Sequence, residues 1–160
     1  RMVIEKSPLV SGYIPEHEVR SLLGIRHGKK ESKDSGYKVP DALFDLKVPG
    51  KTLKVALEFE DSMKGVTLYR SLFRRLLISS DFDVVMFVTA SEEMIAALRS
   101  IIDHVRANDP VVRDWPTERA MYFASLKQVL TEGTNAVFVG DSTPFSLASL
   151  EKQLSAEQKV

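Results

Sequence analysis

Three acids stand in a segment that otherwise alternates apolar and polar residues. The segment is VPDALFDLKVPGKTLKVALEFED, Val39 to Asp61, and the acids are Asp41, Glu58 and Glu60. Side chains along a strand turn alternately to its two faces. Carboxylates gathered away from water must be paired, protonated or bound to a cation. These three are therefore either solvated or share a metal. Hard oxygen donors of this kind suit Mg²⁺ or Mn²⁺ and not zinc. Such an ion lowers the pKa of a bound water, polarises a phosphodiester and stabilises charge on the leaving oxygen. Lys64 follows Glu60 closely enough to swing back and either position the attacking water or neutralise phosphate charge.

The elements that must position these residues can be read from the same segment. In DALFDL, Ala42, Phe44 and Leu46 alternate with Asp41, Leu43 and Asp45. In LKVALEFE, Leu53, Val55, Leu57 and Phe59 alternate with Lys54, Ala56, Glu58 and Glu60. Pro49 and Gly50 lie between the two strands as a turn pair. Taking them as the two loop residues of a hairpin sets Val48 against Lys51, Leu46 against Leu53, Phe44 against Val55, Asp45 against Lys54 and Asp41 against Glu58. The large apolar pairs then share one face, and the acids gather at one end of the other. A slip of one residue would spoil both faces together. Pro-Gly suits a type II turn, however, and not the primed turns that short hairpins prefer.

Around the hairpin, a helix is expected to start at Pro15, with Val19, Leu22 and Leu23 on one face, and to stop near Gly24. Arg26 to Tyr37 is polar and glycine-containing and reads as a connection. Ser62 to about Ser79 has Val66, Tyr69, Phe73 and Leu77 at helical spacing, with Tyr69 on the apolar stripe and so assigned to the core. Asp81 to Thr89 has the continuous apolar centre of an interior strand. Ser91 followed by two acids marks a helix start. This order predicts strand, helix, strand with a parallel crossover. AMYFASL near residue 120 and NAVFVG near residue 135 read as further short strands.

The chain of 160 residues has a length typical of one domain, and its 44% hydrophobic and 28% charged residues are those of a globular protein. Arg1 ahead of Met2 reads as a remnant, consistent with a domain excised from a longer protein. The 22 basic and 22 acidic residues balance, so binding to nucleic acid must come from a local patch. The absence of cysteine excludes disulfides, a thiolate nucleophile and thiolate-bound metal, and points to a reducing cytoplasm. No apolar run approaches the roughly 20 residues that span a bilayer, so no membrane partner is expected.

Pro40-Asp41, followed after the hairpin by EFE at Glu58 to Glu60, resembles the PD-(D/E)XK nuclease superfamily. Five stretches extend the likeness: EHEVR (Glu16 to Arg20), PDALFDL, VALEFEDSMK (Val55 to Lys64), LYRSLF (Leu68 to Phe73) and FDVVMFVT (Phe82 to Thr89). Together they are similar to the replication–relaxation family and the related MOBC-class plasmid relaxases. The likeness covers about residues 14 to 105. It implies an α/β fold of restriction-endonuclease-like type, with a mixed central sheet flanked by helices. It also implies metal ligation by Asp41, Glu58 and Glu60, Lys64 as a displaced catalytic lysine, and a supporting role for Glu18. The implied activity is divalent-metal-dependent DNA cleavage in plasmid or conjugative-element mobilisation or replication. The implied partners are DNA and other mobilisation or replication proteins, and a homodimer is compatible with this setting. Glu60 stands where the superfamily expects lysine.

Each of these residues also has a plainer reading. Asp41 is then a strand-entry residue, Glu58 and Glu60 are the solvated face of an edge strand, and Lys64 and Glu18 lie on the surface. Arg70, Arg74 and Arg75, with Lys29, Lys30, Arg26 and Lys33 in the connection, are either DNA-phosphate contacts or a solvated charged face. Tyr37 is a weaker alternative as a covalent nucleophile. His17, His27 and His104 show no ligand spacing and read as surface residues, and Trp115 reads as a packed loop anchor. The competing function is a DNA-binding or relaxosome-assembly module that keeps the fold without cleaving.

Overall fold

A computed structural model describes residues 2–22, 39–115 and 119–157. Lys29 and Lys30, together with Arg26, His27, Lys33 and Tyr37, lie outside the described residues. The chain opens with a short helix α1 (Met2–Glu5), strand β1 (Val10–Pro15) and helix α2 (Glu16–Leu22). The hairpin follows as β2 (Ala42–Val48) and β3 (Lys51–Glu60), then helix α3 (Val66–Ile78) and strand β4 (Val84–Thr89). Helices α4 (Glu92–Asn108) and α5 (Pro110–Arg113) lead to β5 (Ala120–Ser125). Helix α6 (Leu126–Glu132), a 3-10 turn, the short strand β6 (Val139–Gly140) and helix α7 (Leu147–Glu157) complete the order.

The six strands form one mixed sheet in the order β1-β2-β3-β4-β5-β6. β2 pairs antiparallel with both β1 and β3, β3-β4 and β4-β5 are parallel, and β6 is antiparallel to β5. The protein is thus α/β, with a mixed central sheet and helices packed on it. The hairpin register is the expected one: Val48 faces Lys51, Leu46 faces Leu53, Phe44 faces Val55 and Asp45 faces Lys54. Gly50 takes φ 75°, which the third residue of a type II turn requires, so the less common turn is accommodated without shifting the register.

Two apolar layers hold the sheet. Leu46, Val55, Leu57, Met86 and Tyr122 pack on one face with Ile4, Phe138 and Leu147. On the other face Ala56, Val85, Phe87, Met121 and Phe123 meet Tyr69, Leu72 and Phe73 of α3 and Leu98 and Ile102 of α4. Aromatic rings run through this second layer from Tyr69 to Phe73, Phe87 and Phe123 at centroid distances of 5.8, 5.7 and 5.2 Å. Every residue of β4 is buried, as its continuous apolar run requires of a strand covered on both faces. Ser91 caps α4 by accepting from the Met94 amide at 3.3 Å.

Three features differ from the sequence reading. Pro15 ends β1, opposite Ala42, and the helix begins one residue later. β1 lies in a segment to which the sequence reading assigns no element; Gly12, at φ 60°, and Pro15 punctuate it, and its register shifts between Ser11 and Ile14. Trp115 is 40% exposed and is not a packed anchor. No described helix is long and apolar enough to cross a membrane.

Candidate functional site

β3 changes partner type, pairing antiparallel on one side and parallel on the other. It is an interior strand, so the solvated-edge reading of its acids fails. Glu58 and Glu60 are both fully buried. They stand at the carboxyl end of β3 in register with Phe87 and Thr89 of β4, on the face that carries Ala56 and the α3 and α4 layer. In open α/β sheets the carboxyl ends of parallel strands are where ligands are usually held.

The outer acid is held by a local network. The Lys64 ammonium donates to Glu60 Oε2 at 2.7 Å, and the Tyr69 hydroxyl lies 3.2 Å from the same oxygen. That hydroxyl also lies 3.3 Å from the Ser62 carbonyl oxygen and accepts from the Lys64 amide at 3.4 Å. Tyr69 therefore belongs to the core through its ring and to the site through its oxygen. It ties the turn between β3 and α3 to Glu60. Lys64 is 47% exposed, so its cation reaches the buried carboxylate from solvent.

Asp41 lies just before β2, whose first pair is Ala42 with Leu57; one more step along the register brings Asp41 opposite Glu58. Its Oδ2 accepts the Phe59 amide at 2.7 Å. The next position on that side is Pro40, and the carboxylate takes the ladder donor at the point where the strand ends. The Asp41 carbonyl accepts the Glu16 amide at 2.8 Å, which fastens the start of α2 beside the hairpin.

Glu18 is exposed on α2, with its carboxylate 3.7 Å from the His17 ring, and is not part of the Glu60–Lys64–Tyr69 network. Arg70 and Arg74 are exposed on α3 and line one groove with His104 and Asn108. Arg75 is half-buried; its Nε donates to the Ser71 carbonyl oxygen at 3.3 Å, and it lines a different cavity beside Pro40 and Phe82. The anchoring role of Tyr69 escaped sequence reading. The available signal was a hydroxyl-bearing aromatic at the start of the helix that follows the acids.

The donor chemistry of Asp41, Glu58 and Glu60 fits a hard divalent cation. Their present arrangement does not complete such a site: among the described residues, no three or more His, Cys, Asp or Glu side chains form a group able to hold a metal. The chain matches no family model, no curated protein and no solved structure in these comparisons.

Proposed function

We propose that this protein is a divalent-metal-dependent DNA endonuclease, nicking or cleaving phosphodiesters in plasmid or conjugative-element mobilisation or replication, in a reducing cytoplasm. The observation that carries the reading is the burial of Glu58 and Glu60 side by side on an interior strand, at the carboxyl end of the parallel strands. Two buried carboxylates cost stability unless cations offset them, and a fold has little structural reason to place both there. Asp41, Glu58 and Glu60 are the residues that would hold Mg²⁺ or Mn²⁺. When bound, the ion supplies an acidified water and charge neutralisation at the phosphate. Lys64 supplies positive charge at the solvent side of Glu60, where a phosphate enters. Tyr69 holds the turn that carries Lys64. The Phe59 amide fixes Asp41.

A second reading is favoured by the Lys64–Glu60 ion pair and by the incomplete acidic group: a DNA-binding module of the same fold that does not cleave.

Thermal melts of the wild type and Asp41→Ala, with and without Mn²⁺, separate the two. Saturation at about tenfold the Kd adds ~1.4 kcal/mol, roughly 3–5 °C for a domain of this size. A rise in the wild type that is absent from Asp41→Ala, with metal-dependent nicking of supercoiled DNA, supports the nuclease. Salt-dependent DNA binding with no metal shift in either protein selects the non-cleaving module.

A further inference from the structure

A groove of about 400 Å³ runs between α3 and the corner where α4 meets α5. Its lining is rich in hydrogen-bond donors: the guanidinium groups of Arg70 and Arg74, the His104 ring, the Asn108 amide and the hydroxyls of Thr67 and Ser71. The Asn108 amide nitrogen donates to the His104 carbonyl oxygen at 2.9 Å and lies 3.3 Å from His104 Nδ1. With Nδ1 accepting from that amide, the neutral ring carries its proton on Nε2, which makes Nε2 a donor.

Among the described lining residues, the one carboxylate is already engaged. Asp109 Oδ1 accepts the amides of Val111 and Val112 at 2.9 and 3.3 Å as the cap of α5, and Oδ2 lies 3.3 Å from Arg74 Nε. Arg70 lies in the second turn of α3, roughly 6 Å along the axis from its first residue, and α3 starts just beyond Lys64.

We propose that this groove seats a backbone phosphate of the DNA, with Arg70 and His104 Nε2 as the binding groups, Asn108 holding the His104 ring and Asp109 restraining Arg74. The inference rests on the DNA-directed reading above and adds to it a specific strand-positioning contact. Contacts of this kind orient nucleic acid without reading its sequence. Each phosphate neutralised contributes about 0.9 to the salt slope for duplex and about 0.7 for single strands.

The test is fluorescence anisotropy with labelled oligonucleotides of about 20 nucleotides and unrelated sequence, single-stranded and duplex, across a salt series. The combined Arg70→Gln and His104→Gln variant is expected to bind about tenfold more weakly at low salt, with a slope smaller by about 1. Asp109→Asn keeps a capping oxygen while releasing Arg74, so it is expected to bind several-fold more tightly. Arg113→Gln is the control, because Arg113 is exposed, pairs with Asp114 at 3.3 Å and lies outside the groove. Wild-type affinity and slope in the double variant and in Asp109→Asn would overturn the groove and leave the DNA reading intact. An equal loss in Arg113→Gln would do the same. Absence of wild-type binding at low salt would overturn both.

Discussion

Glu60 and Asp141 are both carboxylates paired with a cation, yet the two pairs are built differently. Asp141 meets Arg106 through both oxygens, at 2.9 and 2.6 Å, accepts the Met121 amide at 2.8 Å and returns its own amide to the Met121 carbonyl. This rigid fork clamps α4 to the β5-β6 end of the sheet, with side chains 24% and 30% exposed. Glu60 is fully buried and is reached by a lysine on a flexible stem, 47% exposed. A guanidinium fork matched to a carboxylate is specific and hard to exchange, whereas an ammonium is a point charge that another cation can replace. The Asp141 pair suits a structural tie. The Glu58–Glu60 end of β3 suits a site whose partners change.

The largest expected effect tests that contrast at its functional end. Glu58→Gln keeps the shape of a fully buried side chain and removes its charge. On the nuclease proposal, cleavage should fall at least about a hundredfold, or ~2.7 kcal/mol in the barrier. The metal-free melting temperature should stay level or rise, because one of two neighbouring buried carboxylates is gone. A metal-free loss of more than about 5 °C, roughly 1.3–2.5 kcal/mol here, would place Glu58 among structural residues instead. A smaller effect is expected on removing the exchangeable cation. Lys64→Met leaves Glu60 with the Tyr69 hydroxyl but without its ammonium partner. Removing one partner of a buried pair costs about 3–5 kcal/mol, and the exposure of Lys64 reduces the expectation to about 2 kcal/mol. Combining Lys64→Met with Glu60→Gln should recover most of that loss, and denaturant unfolding of the four proteins gives the coupling. Additive losses would mean that the ion pair contributes nothing of its own.

The contrast also marks what could be read from the chain. The hairpin register was legible because alternation on both strands and the Pro49–Gly50 turn agree, and that agreement brought Asp41 opposite Glu58. Whether Glu58 and Glu60 were buried was not decidable within their own segment. Their burial depends on β4 lying parallel alongside β3, a pairing with chain 29 residues away, as Glu58 with Phe87 and Glu60 with Thr89. Tyr69 read as core because its spacing reports where the ring goes and carries no information about the hydroxyl. Asp141 gave no signal, since it follows a two-residue strand and its partner Arg106 is on another element. The same locality explains why β1 carries no strand signal of its own: Gly12 and Pro15 punctuate it, and its strand identity comes from pairing with β2.

The smallest effect sharpens the structural end of the comparison. Burial pushes the Asp141 carboxyl up, but the hydrogen bonds from Arg106 and the Met121 amide and the charges of Arg106 and Arg99 outweigh it, so the group is held below its ordinary value of 3.8. A carboxyl with a depressed folded pKa contributes stability that is complete above its unfolded value and is lost as pH falls through the folded one. Asp141→Asn should therefore lower stability by about 1 kcal/mol at pH 7, roughly 2–4 °C. The gap from wild type should hold down to about pH 5 and close below about pH 4 as the wild-type carboxyl takes up its proton. At pH 7 this fall contrasts with Glu58→Gln, for which the metal-free melting temperature should stay level or rise. Thermal melts of both variants across that pH range measure the two signs together. A fall in metal-free melting temperature for both at pH 7 would make the two carboxylates alike and remove the distinction between clamp and site.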